Sequence, residues 1–277
     1  VAWILYFADP EALANSRRCK MTIRSFAWAI AALGLLGLGA TGAQAGPVPP
    51  GATCIGNCGT DGADGVVTLS PLGTPSYLYI STNGGVTGAG EIAGVGGTNG
   101  SQLTTPTFVA TAGEQLQFYF NYVTSDGAQY ADYAFAELLD STNSVAATLF
   151  TARTQPTGNT SPGFGLPADA STLTPPTSAI IPGGPVWSVL GGSSGTCYSA
   201  GCGYTGWIQA DYTIATPGTY SLTFGTTNDL DVYYDSGLAI DGVTIGGNPV
   251  IPTPEPVSMA LLGVGLAGLG VIRFRRS

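Results

Sequence analysis

Four groups of side chains in this 277-residue chain could do chemistry, and each also has a plainer reading. Cys54 and Cys58, and Cys197 and Cys202, form two close pairs in glycine-containing stretches. Pairs so near one another point to disulfides, and four cysteines leave three connectivities open. A four-thiolate zinc site is the rival, but neither spacing is the two-residue knuckle that zinc sites favour. Asp229, Asp231, Asp235 and Asp241 crowd around a turn beside Asn228, with no Lys or Arg near them in sequence. Clustered carboxylates repel one another. A hard divalent cation with oxygen ligands, calcium in particular, would relieve them, and so would solvent around an acidic turn. Their spacing lacks the loop glycine and the bidentate Glu of an EF-hand. Trp187, Trp207, Tyr198, Tyr204, Tyr233 and Tyr234 fall on or beside loops, where rings could stack on sugars or pack at the rim of a core.

The composition removes other chemistries. There is no histidine, 8 Lys plus Arg stand against 17 Asp plus Glu, and only 9% of residues are charged. A Ser-His-Asp triad, a Cys-His dyad and a His-ligated metal are therefore excluded, and the acidity argues against nucleic acid as a partner. Between residues 46 and 250, fourteen acidic residues accompany one cation, Arg153. Two of those carboxyls could stand at a glycosidase spacing, but no local motif selects a pair. The body is expected to be non-catalytic rather than a polysaccharide hydrolase.

The elements that must position these groups read as β-structure. Short runs at 66–70, 76–82, 102–111, 114–125, 130–141, 144–155, 185–190, 206–214, 218–228 and 236–245 are separated by Gly, Asn, Pro and Ser. Leu116, Phe118, Phe120 and Tyr122 alternate with Gln115, Gln117, Tyr119 and Asn121, and Tyr220, Leu222 and Phe224 repeat the pattern. That period of two marks strands with one buried face. No segment carries a helical period, so an all-β, antiparallel sandwich is expected over 46–250. Residues 153–184, with six prolines, read as a long insertion or flap.

Both flanks have different physics. Met21-Thr22-Ile23-Arg24, the apolar run 26–39 and Ala43-Gln44-Ala45 have the three parts of a secretory signal. Residues 21–45 are thus expected to engage the Sec translocon and signal peptidase, with cleavage after Ala45. Residues 1–20, which include Cys19, read as the product of an upstream start assignment. At the other end, 257–272 is an uncharged run of sixteen residues, followed by Arg273, Arg275 and Arg276. As a helix it would be roughly 24 Å long at ~1.5 Å per residue, slightly short for the bilayer core. The arginines should stay cytoplasmic, which puts the body across the membrane. Pro254 and Pro256 deny Glu255 a helical neighbourhood, leaving the tripeptide extended beside the bilayer.

Pro254-Glu255-Pro256, the short apolar run and the Arg cluster together closely resemble the PEP-CTERM sorting signal of Gram-negative bacteria, here over 251–277. The resemblance implies that the tail holds an exported protein at the periplasmic side of the inner membrane until an exosortase processes it near the tripeptide. The product then reaches the cell surface or the extracellular matrix, where extracellular polysaccharide is a candidate partner. The body segments 105–122, 206–228 and 235–245 resemble the galactose-binding-like jelly roll of exported bacterial modules. In that family an Asp of the closing strand often holds a structural calcium, a role that would fall to Asp241. The expectation is a structural or adhesive sandwich, with a calcium-supported carbohydrate-binding module as the alternative.

Overall fold

The computed structural model describes residues 46–251. The expected signal 21–45, the sorting tripeptide Pro254, Glu255 and Pro256, the apolar run 257–272 and Arg273, Arg275 and Arg276 lie outside the described residues. Among the described residues no helix is long and apolar enough to cross a membrane. The body is all-β, with two antiparallel sheets facing one another.

In chain order the strands are β1 (Thr53–Ile55), β2 (Asn57–Asp61), β3 (Tyr77–Ser81), β4 (Val86–Thr87), β5 (Asn99–Thr104), β6 (Phe108–Ala110), β7 (Gln115–Thr124) and β8 (Tyr133–Asp140). They continue with β9 (Val145–Arg153), β10 (Thr172–Thr174), β11 (Ile181–Pro182), β12 (Gly203–Tyr204), β13 (Ile208–Thr213), β14 (Gly218–Thr227), β15 (Ser236–Ile245) and β16 (Asn248–Pro249). One sheet runs β1-β5-β14-β8-β9, and the other runs β10-β13-β7-β15-β3-β2. Successive long strands therefore alternate between sheets, except at the hairpin β8–β9.

The inward frame of β7 and β14 is the one their alternation predicts. Phe118, Phe120, Tyr122, Leu222 and Phe224 are fully buried. Phe120 and Phe150 stack face to face across the sandwich, with centroids 3.8 Å apart, and Phe118 meets Phe224 edge-on at 5.4 Å. Each such pair adds about 0.5–1.5 kcal/mol to the burial of the rings themselves. A smaller cluster covers the outer face of the second sheet, where the 3-10 turn Ser188–Ser193 and Trp187 pack on Tyr77, Tyr79 and Ala239.

Three expectations change. The run 66–70 makes only an isolated bridge, Asp64 to Val67, and 185–190 turns into the Ser188–Ser193 segment, because its apolar residues cap a sheet face from outside. The stretch 153–184 is not a free flap. Its backbone donates from Gly163 to Thr151, from Ala170 to Thr148 and from Ser171 to Leu149, while β10 pairs with β13. The prolines block a regular ladder, but the intervening amides still find β9. Conversely, 53–61, which none of the expected runs covers, forms β1 and β2, one in each sheet. Gly56 makes the switch at φ 85°, with the Ser101 hydroxyl and the Gly100 carbonyl where a Cβ would stand.

Candidate functional site

Along β7, β14 and β15 the inner layer changes character at one end of the sandwich. Beyond Tyr122 the next inward positions are Thr124 and Asp126, and beyond Phe224 they are Thr226 and Asn228. Ser236 opens β15 in the same layer, and Asp132 precedes β8. Each of these six is at most 1% exposed. Buried polar groups must find partners or cost on the order of 1–3 kcal/mol each, so they are tied together. Tyr122 Oη donates to the Asp132 carbonyl at 2.8 Å, Ser236 Oγ to Asp132 Oδ2 at 2.6 Å, and the Asp229 amide to Asp132 Oδ1 at 2.9 Å. Asp126 Oδ1 accepts from the Gly127 amide at 2.6 Å. Two acceptor oxygens in the layer, Asp126 Oδ2 and Asn228 Oδ1, have no partner.

Burial sets the electrostatics. Loss of solvent pushes Asp126 up to about 6, with the charge of Asp231 adding to the effect. Asp132 is raised well above the ordinary carboxylate range by its complete burial, against the opposing bond from Ser236. Asp235 is raised for the same reason, although Thr82 and Ser193 hydroxyls donate to it at 3.0 and 2.9 Å.

The four carboxylates singled out from the sequence do not converge. Asp229 pairs with Arg153 at 3.2 Å, and that guanidinium also sits over the Tyr133 ring. Asp231 Oδ1 accepts from the Tyr233 amide at 2.8 Å. Asp235 stands at the start of β15, whereas Asp241 lies six residues along it, roughly 20 Å away at ~3.3 Å per residue. Asp241 accepts from the Ser70 and Thr74 hydroxyls and from the Gly242 amide at a β-bulge. It thus stands apart from Asp229, Asp231 and Asp235, with hydroxyl and amide donors on its carboxylate. Among the described residues no three Cys, Asp or Glu side chains are grouped to hold a metal.

The aromatic residues separate as well. Trp187 is fully buried, with Nε1 donating to Tyr77 Oη at 3.1 Å, and Trp207 donates to the Thr68 carbonyl at 2.9 Å. Both are packing residues, and Tyr204 belongs to β12. The exposed Tyr198 instead meets the half-buried Tyr130 at 5.2 Å and the exposed Tyr234 at 5.0 Å between centroids, at the polar end. Tyr233 beside them is 69% exposed. Tyr130 was not among the rings expected there: the run 130–141 reads as a strand from its first residue, whereas β8 begins only at Tyr133 and leaves Tyr130 in the preceding turn. The loop carrying Tyr198 is closed by the Cys197–Cys202 disulfide, and Cys54–Cys58 closes the β1–β2 corner, so both pairings are local.

At the opposite end, an apolar cavity of about 430 Å³ is lined by Pro49, Leu72, Tyr77, Val243 and Ile251.

No family model and no curated protein matches the chain. Among solved structures, it is similar to the enzymatically active domain of tailspike protein 4 from bacteriophage CBA120, at 11% identity and a TM-score of 0.34. That similarity covers 71% of this chain but only 19% of the tailspike chain. The K1 and K3 cleaved adhesin domains of Lys-gingipain from Porphyromonas gingivalis share 12% and 14% identity, each with a TM-score of 0.33. They are covered over 100% and 92% of their lengths by 74% and 72% of this chain. At this level the similarities bear on no functional property. The class the chain itself defines is an antiparallel β-sandwich with two local disulfides.

Proposed function

We propose that the chain is an exported, exosortase-sorted protein of the cell envelope or extracellular matrix, whose non-catalytic sandwich does structural or adhesive work. The observation that carries this reading is that both cysteine pairs of the body close as disulfides, which persist where the surroundings are oxidising. The tripeptide, apolar run and Arg cluster of 251–277 supply the address. The finer fold reading is a jelly roll. It is supported by the order β3-β15-β7-β13 in one sheet and β5-β14-β8-β9 in the other, the pattern of two interlocked Greek keys. Intact mass of the protein from envelope and medium, with and without the exosortase, tests the proposal. Expected is a species starting at Gly46, oxidised at all four body cysteines, and lacking the peptide beyond the Pro254–Pro256 region only when the exosortase is present. Persistence of that peptide in both fractions replaces sorting by permanent anchoring.

One observation favours a second reading, a carbohydrate-binding module. The exposed Tyr198 and Tyr234, packed with the half-buried Tyr130, form a group of rings of the kind on which sugars stack. Glycan arrays of the wild type and of Tyr198→Ala decide it: binding lost in the variant supports a lectin-like body, and equal signals from both dismiss it.

A further inference from the structure

The geometry points to a binding site for a divalent cation of the calcium type inside the polar end of the sandwich, with Asp126 Oδ2 and Asn228 Oδ1 as its buried ligands and Asp231 closing it from the loop. This site is distinct from the closing-strand position of Asp241. Both buried oxygens belong to residues at most 1% exposed, and both lack a hydrogen-bond partner. Each is an acceptor, so a bound donor or a positive charge is what the layer is missing. Donors already present are spent: the Ser236 hydroxyl on Asp132, the Asn228 amide nitrogen on Asn99, and the Gly127 amide on the other Asp126 oxygen.

The charges lead to the same place. Asp132 feels the charges of both Asp126 and Asp231, and Asp126 feels that of Asp231. The one guanidinium of the body is committed elsewhere, to Asp229, the Ala131 carbonyl and the Phe164 carbonyl. A cation bound between Asp126 and Asp231 would offset the repulsion between those two carboxylates. The candidate ligands are all oxygen and of mixed kind, carboxylate and amide, on a loop and two strand ends. That mixture suits the larger and geometrically tolerant calcium ion better than magnesium, which demands a near-octahedral shell. Asp231 is partly exposed on the loop between β14 and β15, which makes it the ligand on the solvent side of the site.

The test uses the full chain in detergent, stripped of metal and titrated with calcium chloride, read by melting temperature and by terbium luminescence excited through tyrosine. Wild type should show a calcium-dependent rise in Tm and a saturable terbium signal that calcium displaces. Asp126→Asn preserves shape and should weaken apparent calcium affinity more than about tenfold, without lowering the metal-free Tm. Asn228→Asp adds a charge to the same position and should tighten binding, which keeps the proposal testable if the first variant folds poorly. Asp241→Asn should leave the calcium response as it is in wild type. No Tm change or terbium signal in wild type at millimolar calcium overturns the proposal. Calcium affinities that are the same in wild type, Asp126→Asn and Asn228→Asp overturn it equally.

Discussion

The two ends of the sandwich are built by the same strands and solve opposite problems. At one end β7 and β14 place Leu116, Phe118, Leu222 and Phe224 between the sheets, and at the other they place Thr124, Asp126, Thr226 and Asn228 there. The apolar end needs only shape, since burial itself is favourable at about 25 cal/mol per Å². The polar end must satisfy each group it buries, and it does so through Tyr122, Asp132 and Ser236 while leaving two oxygens unpaired. A protein selected for stability alone would carry the aromatic layer through to the end. That it stops marks the polar end as the part of the fold where something other than stability is served.

The contrast can be broken most sharply in the aromatic layer. Phe150→Ala removes a ring stacked on Phe120 and should lower unfolding free energy by about 3–5 kcal/mol in urea titration. Tyr122→Phe keeps the ring and removes the hydroxyl shared by Asp132 and Thr154. It should cost about 1–3 kcal/mol, because one buried acceptor loses its donor. A loss as large as that of Phe150→Ala would mean that the polar network, not the ring layer, holds the sheets together.

Acidity should act on the polar end in a defined direction. Asp126, Asp132 and Asp235, together with Asp61, Glu137 and Asp169 elsewhere, are all raised above their ordinary values by burial. The folded chain therefore holds protons that the unfolded chain releases. Stability is largest below the unfolded value near 4 and falls as pH climbs through the raised values, of which Asp126 lies at about 6. Melting temperature in metal-free buffer should drop between about pH 4 and pH 6, and a rise over that interval would contradict the assignment. The smallest effect is expected outside the layer: Tyr233→Ala, at a ring 69% exposed, should change unfolding free energy by less than about 0.5 kcal/mol.

Much of the fold was legible from alternation. The frame Leu116, Phe118, Phe120, Tyr122 is the one observed, and two further steps of the same alternation reach the buried Thr124 and Asp126. The signal was there, but a hydrophobic pattern is read by its apolar members and stops where they stop. The Asp229–Asp241 cluster misled for a related reason. Nearness in sequence is not nearness in space, and a strand carries Asp241 far from Asp235. Trp187 was ambiguous because a residue between proline-rich and glycine-rich stretches looks like loop, and only the second sheet's outer face made it core. The cysteine pairings could not be chosen from spacing, since the sheet switch at Gly56 is a tertiary event.

The cavity lined by Pro49 and Ile251 shows that the described body begins and finishes at its apolar end. If the segment after Ile251 leads directly to a bilayer, as proposed, the apolar pole of the sandwich would face the lipid side. The opposite pole, with Asp126 inside and Tyr198 and Tyr233 on its rim, would then face away from that bilayer. On the proposed anchoring, a tether at the apolar pole would leave the polar one open to whatever ions or sugar chains diffuse past.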